Sequence, residues 1–114
     1  MKNLIIGVIL MFVGQSLVWI QTNGQFVWDW FRRNPIILSV ILGSVLSLLF
    51  ITATRYMVPY FNGALWPVRF IGFGLGIISF TVMTYFFMNE GMNTKTLVSL
   101  GLSLIIVLIQ IVWK

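Results

Sequence analysis

Every charged residue in this sequence falls outside four apolar runs, 4–20, 36–54, 70–88 and 96–113. Each run is close to the ~20 residues that carry a helix across a ~30 Å hydrocarbon core. Backbone polar groups in hydrocarbon find no water, and a continuous helix satisfies them within one segment. The pattern predicts an all-α integral membrane protein. Four transmembrane helices occupy about 4–20, 36–54, 70–88 and 96–113, in a single domain spanning 1–114. Short connections favour a compact antiparallel bundle. Composition points the same way. Only 8% of residues are charged and 60% are hydrophobic, whereas a soluble domain carries roughly 25% charged residues. So few charges cannot coat a soluble globule. The chain is read as a multi-pass protein of the cell membrane, the inner membrane in a bacterium.

The formal net charge of +5 invites a nucleic-acid reading, but the basic residues form no groove or stripe. They sit at the ends of the apolar runs, where Lys and Arg meet headgroups. The sequence contains no Cys and no His, which removes thiol chemistry, Cys/His zinc sites and His-based acid/base catalysis. Asp29 and Glu90 are the only carboxylates and lie in different segments. No nucleophile–base pair or metal cluster can be assembled, so the chain is not expected to be an enzyme or to need a cofactor.

Lys2 before the first run resembles the start of a signal peptide. The stretch Trp19-Ile20-Gln21-Thr22-Asn23 lacks a small-x-small cleavage pattern, so the run is read as a retained helix. The connection 21–34 carries Trp28-Asp29-Trp30-Phe31-Arg32-Arg33, a composition suited to the headgroup level. Pro35 opens the second run, and a first helical position costs Pro no hydrogen bond. Arg55 and Tyr56 close it. The stretch 57–69, with Pro59, Asn62-Gly63 and Pro67, reads as an interfacial loop or an unwound entrance to the third helix.

Several residues inside or beside the runs are candidates for more than filling lipid. Gly72, Gly74 and Gly76 alternate along the third run. They serve either as a hinge or as a small-residue packing face. Ser39, Gly43 and Ser47, and Ser99 and Ser103, share helix faces in the manner of packing seams. Gln15 is the most polar residue of the first run, and a buried amide needs a partner, on another helix or on a ligand. Thr81, Thr84 and Tyr85 line a cavity or bond their own helix. Arg55 and Arg69 flank the Pro-containing stretch. Each either snorkels to the interface or, with Trp66, grips an anionic headgroup.

Three further segments resemble one known family. The Gly-rich stretch Gly72-Phe73-Gly74-Leu75-Gly76, the aromatic close Tyr85-Phe86-Phe87-Met88-Asn89-Glu90-Gly91-Met92 and the last run, Leu97 to Trp113 with Gly101 inside, are similar to the third and fourth helices of four-helix members of the drug/metabolite transporter superfamily. The small multidrug resistance proteins are of like size. The resemblance implies a homodimer, often antiparallel, with a substrate path between subunits and alternating access. A path lined by Gln15, Trp19, Gly74, Ser79 and Tyr85, with Arg55 and Arg69 on an anionic headgroup, would suit it. One departure matters. Multidrug exporters of this family carry a glutamate in the first helix, whereas this chain has Val13-Gly14-Gln15-Ser16. Gln15 cannot titrate, so proton-coupled export of cations is not expected. Branches lacking that glutamate include carriers of lipid-linked sugars, which shifts the expected cargo to a neutral or anionic amphiphile.

A structural or accessory subunit of a larger membrane complex is the other reading, favoured by the Phe- and Trp-rich surface. A pore would need a polar stripe at helical spacing, and none is evident.

An even number of spans puts both termini on one side, with Lys2, Arg55, Arg69 and Lys114 facing Arg32, Arg33 and Lys95 across the membrane. That near-balance gives little positive-inside bias. Thr22→Cys and Asn93→Cys are expected to label alike with an impermeant thiol reagent on intact cells. Labelling of roughly half the molecules would mean dual insertion, whereas all-or-none labelling would mean one fixed orientation. Opposite labelling of the two sites would break the four-span topology.

Overall fold

The computed structural model describes residues 1–113; Lys114, counted above in the charge balance, lies outside them. The described chain is helical with no strands. It comprises α1 (Lys2–Asn23), a 3₁₀ turn (Gly24–Phe26), α2 (Asp29–Arg33), α3 (Pro35–Tyr60), α4 (Trp66–Met88) and α5 (Thr94–Val112). The four longer helices are each long and apolar enough to cross a membrane.

The helix ends differ from the sequence expectation mainly between α3 and α4. Arg55 and Tyr56 do not close the second helix, which runs on to Tyr60 with Pro59 in its last turn. Packing overrides the break. Ala53 and Met57 have no exposed surface, and both lie against Gly7 of α1. A Pro in a final turn forfeits few backbone bonds. The chain then turns through Asn62 and Gly63, both at positive φ (57° and 87°), with the Gly63 N–H donating to the Val58 carbonyl at 3.0 Å. Trp66 and Pro67 form the first turn of α4 rather than a loop, a place where Pro costs little. The stretch expected to be an interfacial loop or an unwound entrance to the third helix is therefore mostly helix. At the start of α5, Asn93 caps by accepting from the Thr96 N–H at 2.9 Å.

The long helices stand in a row rather than closing into a compact bundle. α1 packs against α3 on one side and α4 on the other, and α5 packs on α4, while α3 and α4 scarcely touch. The Cα envelope, 46 × 36 × 19 Å, has the proportions of a slab. Contacts fix the directions. Gly7 faces Met57, Gly14 faces Phe50 and Gly43 faces Gln21, so α1 and α3 run oppositely. Gly72 faces Met11 and Gly76 faces Gln15, so α1 and α4 run the same way. The core cluster of Leu4, Met11, Ala53, Met57, Val68, Ile71 and Leu75 fills the space among α1, α3 and α4. At the opposite end Trp28 ties the α2 connection down, its ring 5.1 Å from Phe31 and 5.8 Å from Phe87. Asp29 pairs with Arg32 at 2.9 Å on that exposed turn.

Three helix pairs depend on missing side chains, the α1–α4 pair through Gly76, where a Cβ would lie 2.9 Å from Gln15 Oε1. A Cβ on Gly7 would enter the Met57 side chain, and one on Gly74 would enter the Val107 side chain and lie 3.0 Å from the Ser103 carbonyl. Gly101, in α5, has nothing within 4 Å of such a Cβ. Gly74→Val is therefore expected to lower stability in detergent by the ~1–3 kcal/mol typical of overpacking. Gly101→Ala is expected to be neutral or to add up to ~1 kcal/mol by stiffening the helix. Thermal loss of the monodisperse species measures both.

Candidate functional site

The seam between α1 and α4 carries the polar chemistry of the interior. The Gln15 Nε2 donates to the Gly72 carbonyl at 3.2 Å. Ser16 Oγ and Ser79 Oγ lie 2.9 Å apart. The Trp19 Nε1 donates to Thr84 Oγ1 at 2.9 Å. These contacts climb the two helices together, as parallel helices require. Elsewhere the hydroxyls turn inward on their own helices. Ser39, Ser44, Thr54, Thr81, Ser99 and Ser103 each donate to the carbonyl four residues earlier. Among the described residues no buried side-chain polar atom lacks a partner, as an apolar surrounding demands.

Because α3 and α4 hardly meet, a cavity of ≈ 620 Å³ opens between them. That is the size range of ligand pockets. Its floor is the α1 face bearing Met11, Gln15 and Val18, and its walls include Phe50 and Thr54 of α3 and Val68, Gly72 and Phe73 of α4. Arg69 lines the end near the α3–α4 turn. Its guanidinium has no acidic partner among the described residues, whose ion pairs are confined to Asp29. The lining is thus apolar along its length, with a cation at one end and an amide inside.

The sequence-derived candidates divide among several places. Gln15 and Arg69 line this cavity, and so do Gly72 and Gly76; the missing side chain of Gly76 lets Gln15 lie against α4, and that of Gly72 faces Met11. Trp19 and Ser79 are buried, at 2% and 0% exposure, and spend their polar atoms on the seam. Gly74 faces α5, not the cavity. Arg55 and Tyr85 are exposed and line no part of it. α4 is continuous through Gly72, Gly74 and Gly76, so in this conformation those residues act in packing. Of the two arginines flanking the α3–α4 turn, Arg69 lines the cavity and Arg55 does not. Thr54, Phe50, Met11 and Phe73 were not among the candidates. Met11, Gln15 and Val18 do fall three to four residues apart, the spacing of one helical face.

No protein-family model, curated protein or solved structure matches the chain.

The Ser16–Ser79 contact crosses between helices in apolar surroundings, where such bonds are worth about 0.6 kcal/mol on average. A double-mutant cycle of Ser16→Ala and Ser79→Ala, followed by denaturation in mixed micelles, is expected to give a coupling near that value. Full additivity would mean the contact does not form.

Proposed function

We propose that the chain is a small multi-pass membrane carrier that binds an anionic amphiphile in the groove between α3 and α4 and moves it across the bilayer. The cavity carries this reading: an apolar trough with one unpaired guanidinium at its end. A guanidinium is a bidentate partner for carboxylate or phosphate, and the apolar walls are suited to a hydrocarbon chain. With α3 and α4 apart, a chain can slide in sideways from the lipid without crossing a polar barrier. Gln15 in place of a first-helix carboxylate accords with a cargo that is not a cation.

The reading extends to a pair of copies working by alternating access. It rests on the resemblance to four-helix drug/metabolite transporters and on the near-balanced charge of the two faces, which suits antiparallel insertion. The wide apolar surface of α5, where Leu102, Ile105 and Leu108 are all more than half exposed, leaves room for a second copy. The same surface supports the second reading, a non-catalytic accessory subunit of a larger complex. Solubilised protein migrating with a heterologous partner rather than as a homodimer would favour that alternative.

Proteoliposomes doped with a fluorophore-tagged anionic lipid test the proposal, with dithionite quenching as the readout of transbilayer movement. Wild-type protein is expected to move the lipid. Arg69→Ala, which removes the charge, and Thr54→Trp, which fills the groove, are each expected to slow it many-fold at equal reconstitution. Val40→Trp, on the exposed side of α3, is expected to leave it unaltered. Equal rates in all four proteins would remove the cavity from the mechanism.

A further inference from the structure

The geometry points to a cargo that carries a hydrogen-bond donor, a hydroxyl or amide N–H, part-way along its chain, and assigns the acceptor to Gln15 Oε1. This rests on the cavity being the amphiphile site. The orientation of the Gln15 amide follows from its partner. The Gly72 carbonyl accepts and cannot donate, so the group facing it at 3.2 Å must be the NH₂. The carbonyl end is thereby turned towards Gly76, where an added Cβ would lie 2.9 Å from Oε1.

That oxygen receives no hydrogen bond from any described residue, whose side-chain bonds at Gln15 consist of the one to Gly72. Nor is it sealed off, because no buried polar atom among the described residues is left unpartnered. Gln15 lines the cavity, so Oε1 is an accessible acceptor on an otherwise apolar floor. Thr54, on the opposite wall, commits its proton to the Phe50 carbonyl at 2.8 Å and can only accept. Arg69 is thus the cationic donor at one end, and acceptors lie deeper.

Water can serve these acceptors when the groove is empty. A plain hydrocarbon chain would expel that water and strand Oε1, which costs affinity. A chain with a hydroxyl or amide at the right depth replaces the water bond by bond. The depth can be read from α4. Arg69 and Gly76 are separated by about 10 Å of helix rise, so the donor belongs near the middle of a long chain whose anionic head sits on Arg69. A site built to hydrogen-bond a hydroxyl discriminates against the analogue lacking it, because its own polar group is left unpaired.

Binding to the full chain in nanodiscs at mildly alkaline pH tests the assignment with three probes. They are stearate, hydroxystearate with its hydroxyl next to the carboxylate, and hydroxystearate with its hydroxyl at mid-chain. The mid-chain probe is expected to bind roughly tenfold more tightly than the other two, the worth of one hydrogen bond made away from water. Gln15→Met is expected to bring the three within about a factor of two of one another, and Arg69→Met to weaken all three in parallel. Equal wild-type affinity for the three, still lowered by Arg69→Met, overturns the donor requirement and leaves the amphiphile site standing. Binding of none of them overturns both. Should Gln15→Met fail to assemble, the wild-type ranking alone decides.

Discussion

The hydrogen bonds that join Gln15, Ser16 and Trp19 to α4 determine where everything else in this chain can go. Hydrocarbon offers these groups nothing, so each needs a protein partner or carries a penalty of several kcal/mol. Their individual net worth is modest, below that of a bond made in a dry soluble core, because the separated helices would find substitutes. Their value lies in selection. Packing alone distinguishes poorly between apolar helix faces, whereas an amide, a hydroxyl and an indole in a fixed order on α1 match only a face with partners in the same order. Gly72, Ser79 and Thr84 supply that face.

The row arrangement follows. With α4 docked in parallel on one side of α1, the antiparallel partner α3 takes the other side, where Gly7 and Gly14 admit Met57 and Phe50. The tight turn at Asn62-Gly63 keeps α3 and α4 neighbours in sequence, yet α1 stands between their faces and holds them apart. The trough between them is therefore a consequence of the seam rather than a separate feature. Gly72 and Gly76 belong to both, since they face Met11 and Gln15 across the seam and also line the trough. The groove's polarity has the same origin: Gln15 is held by its nitrogen, so its oxygen is what remains to meet a ligand.

The four long apolar helices were legible because the absence of charge over a membrane thickness leaves few alternatives. Their ends were legible where local chemistry ruled, as at Pro35, which opens α3. Between Arg55 and Arg69 the charged and Pro residues read as breakers, but Ala53 and Met57 pack so tightly on α1 that the helix continues through Arg55. Gln15 could be singled out because an amide in an apolar run needs an explanation. Its partner on α4 could not be, since a backbone carbonyl leaves no mark in sequence. Trp19, Ser79 and Gly74 were candidates for a path, and in this structure their polar atoms or missing side chains serve contacts between helices. Arg55 and Tyr85 are exposed and lie outside the trough. Thr54 was overlooked because a threonine at the end of an apolar run, beside Thr52 and Arg55, carries no signal until α3 is set beside α1.

A groove between α3 and α4 that is a ligand site, and not a packing defect, must be shielded when a ligand occupies it. The chain has no native Cys, so Thr54→Cys and Val40→Cys each give a single thiol, one in the groove and one on the exposed side of α3. The rate of maleimide alkylation, measured with and without stearate in nanodiscs, tests the claim most directly. Stearate is expected to slow alkylation at Thr54→Cys and to leave Val40→Cys unchanged. Equal rates with and without stearate at Thr54→Cys, or equal slowing at both positions, would contradict it.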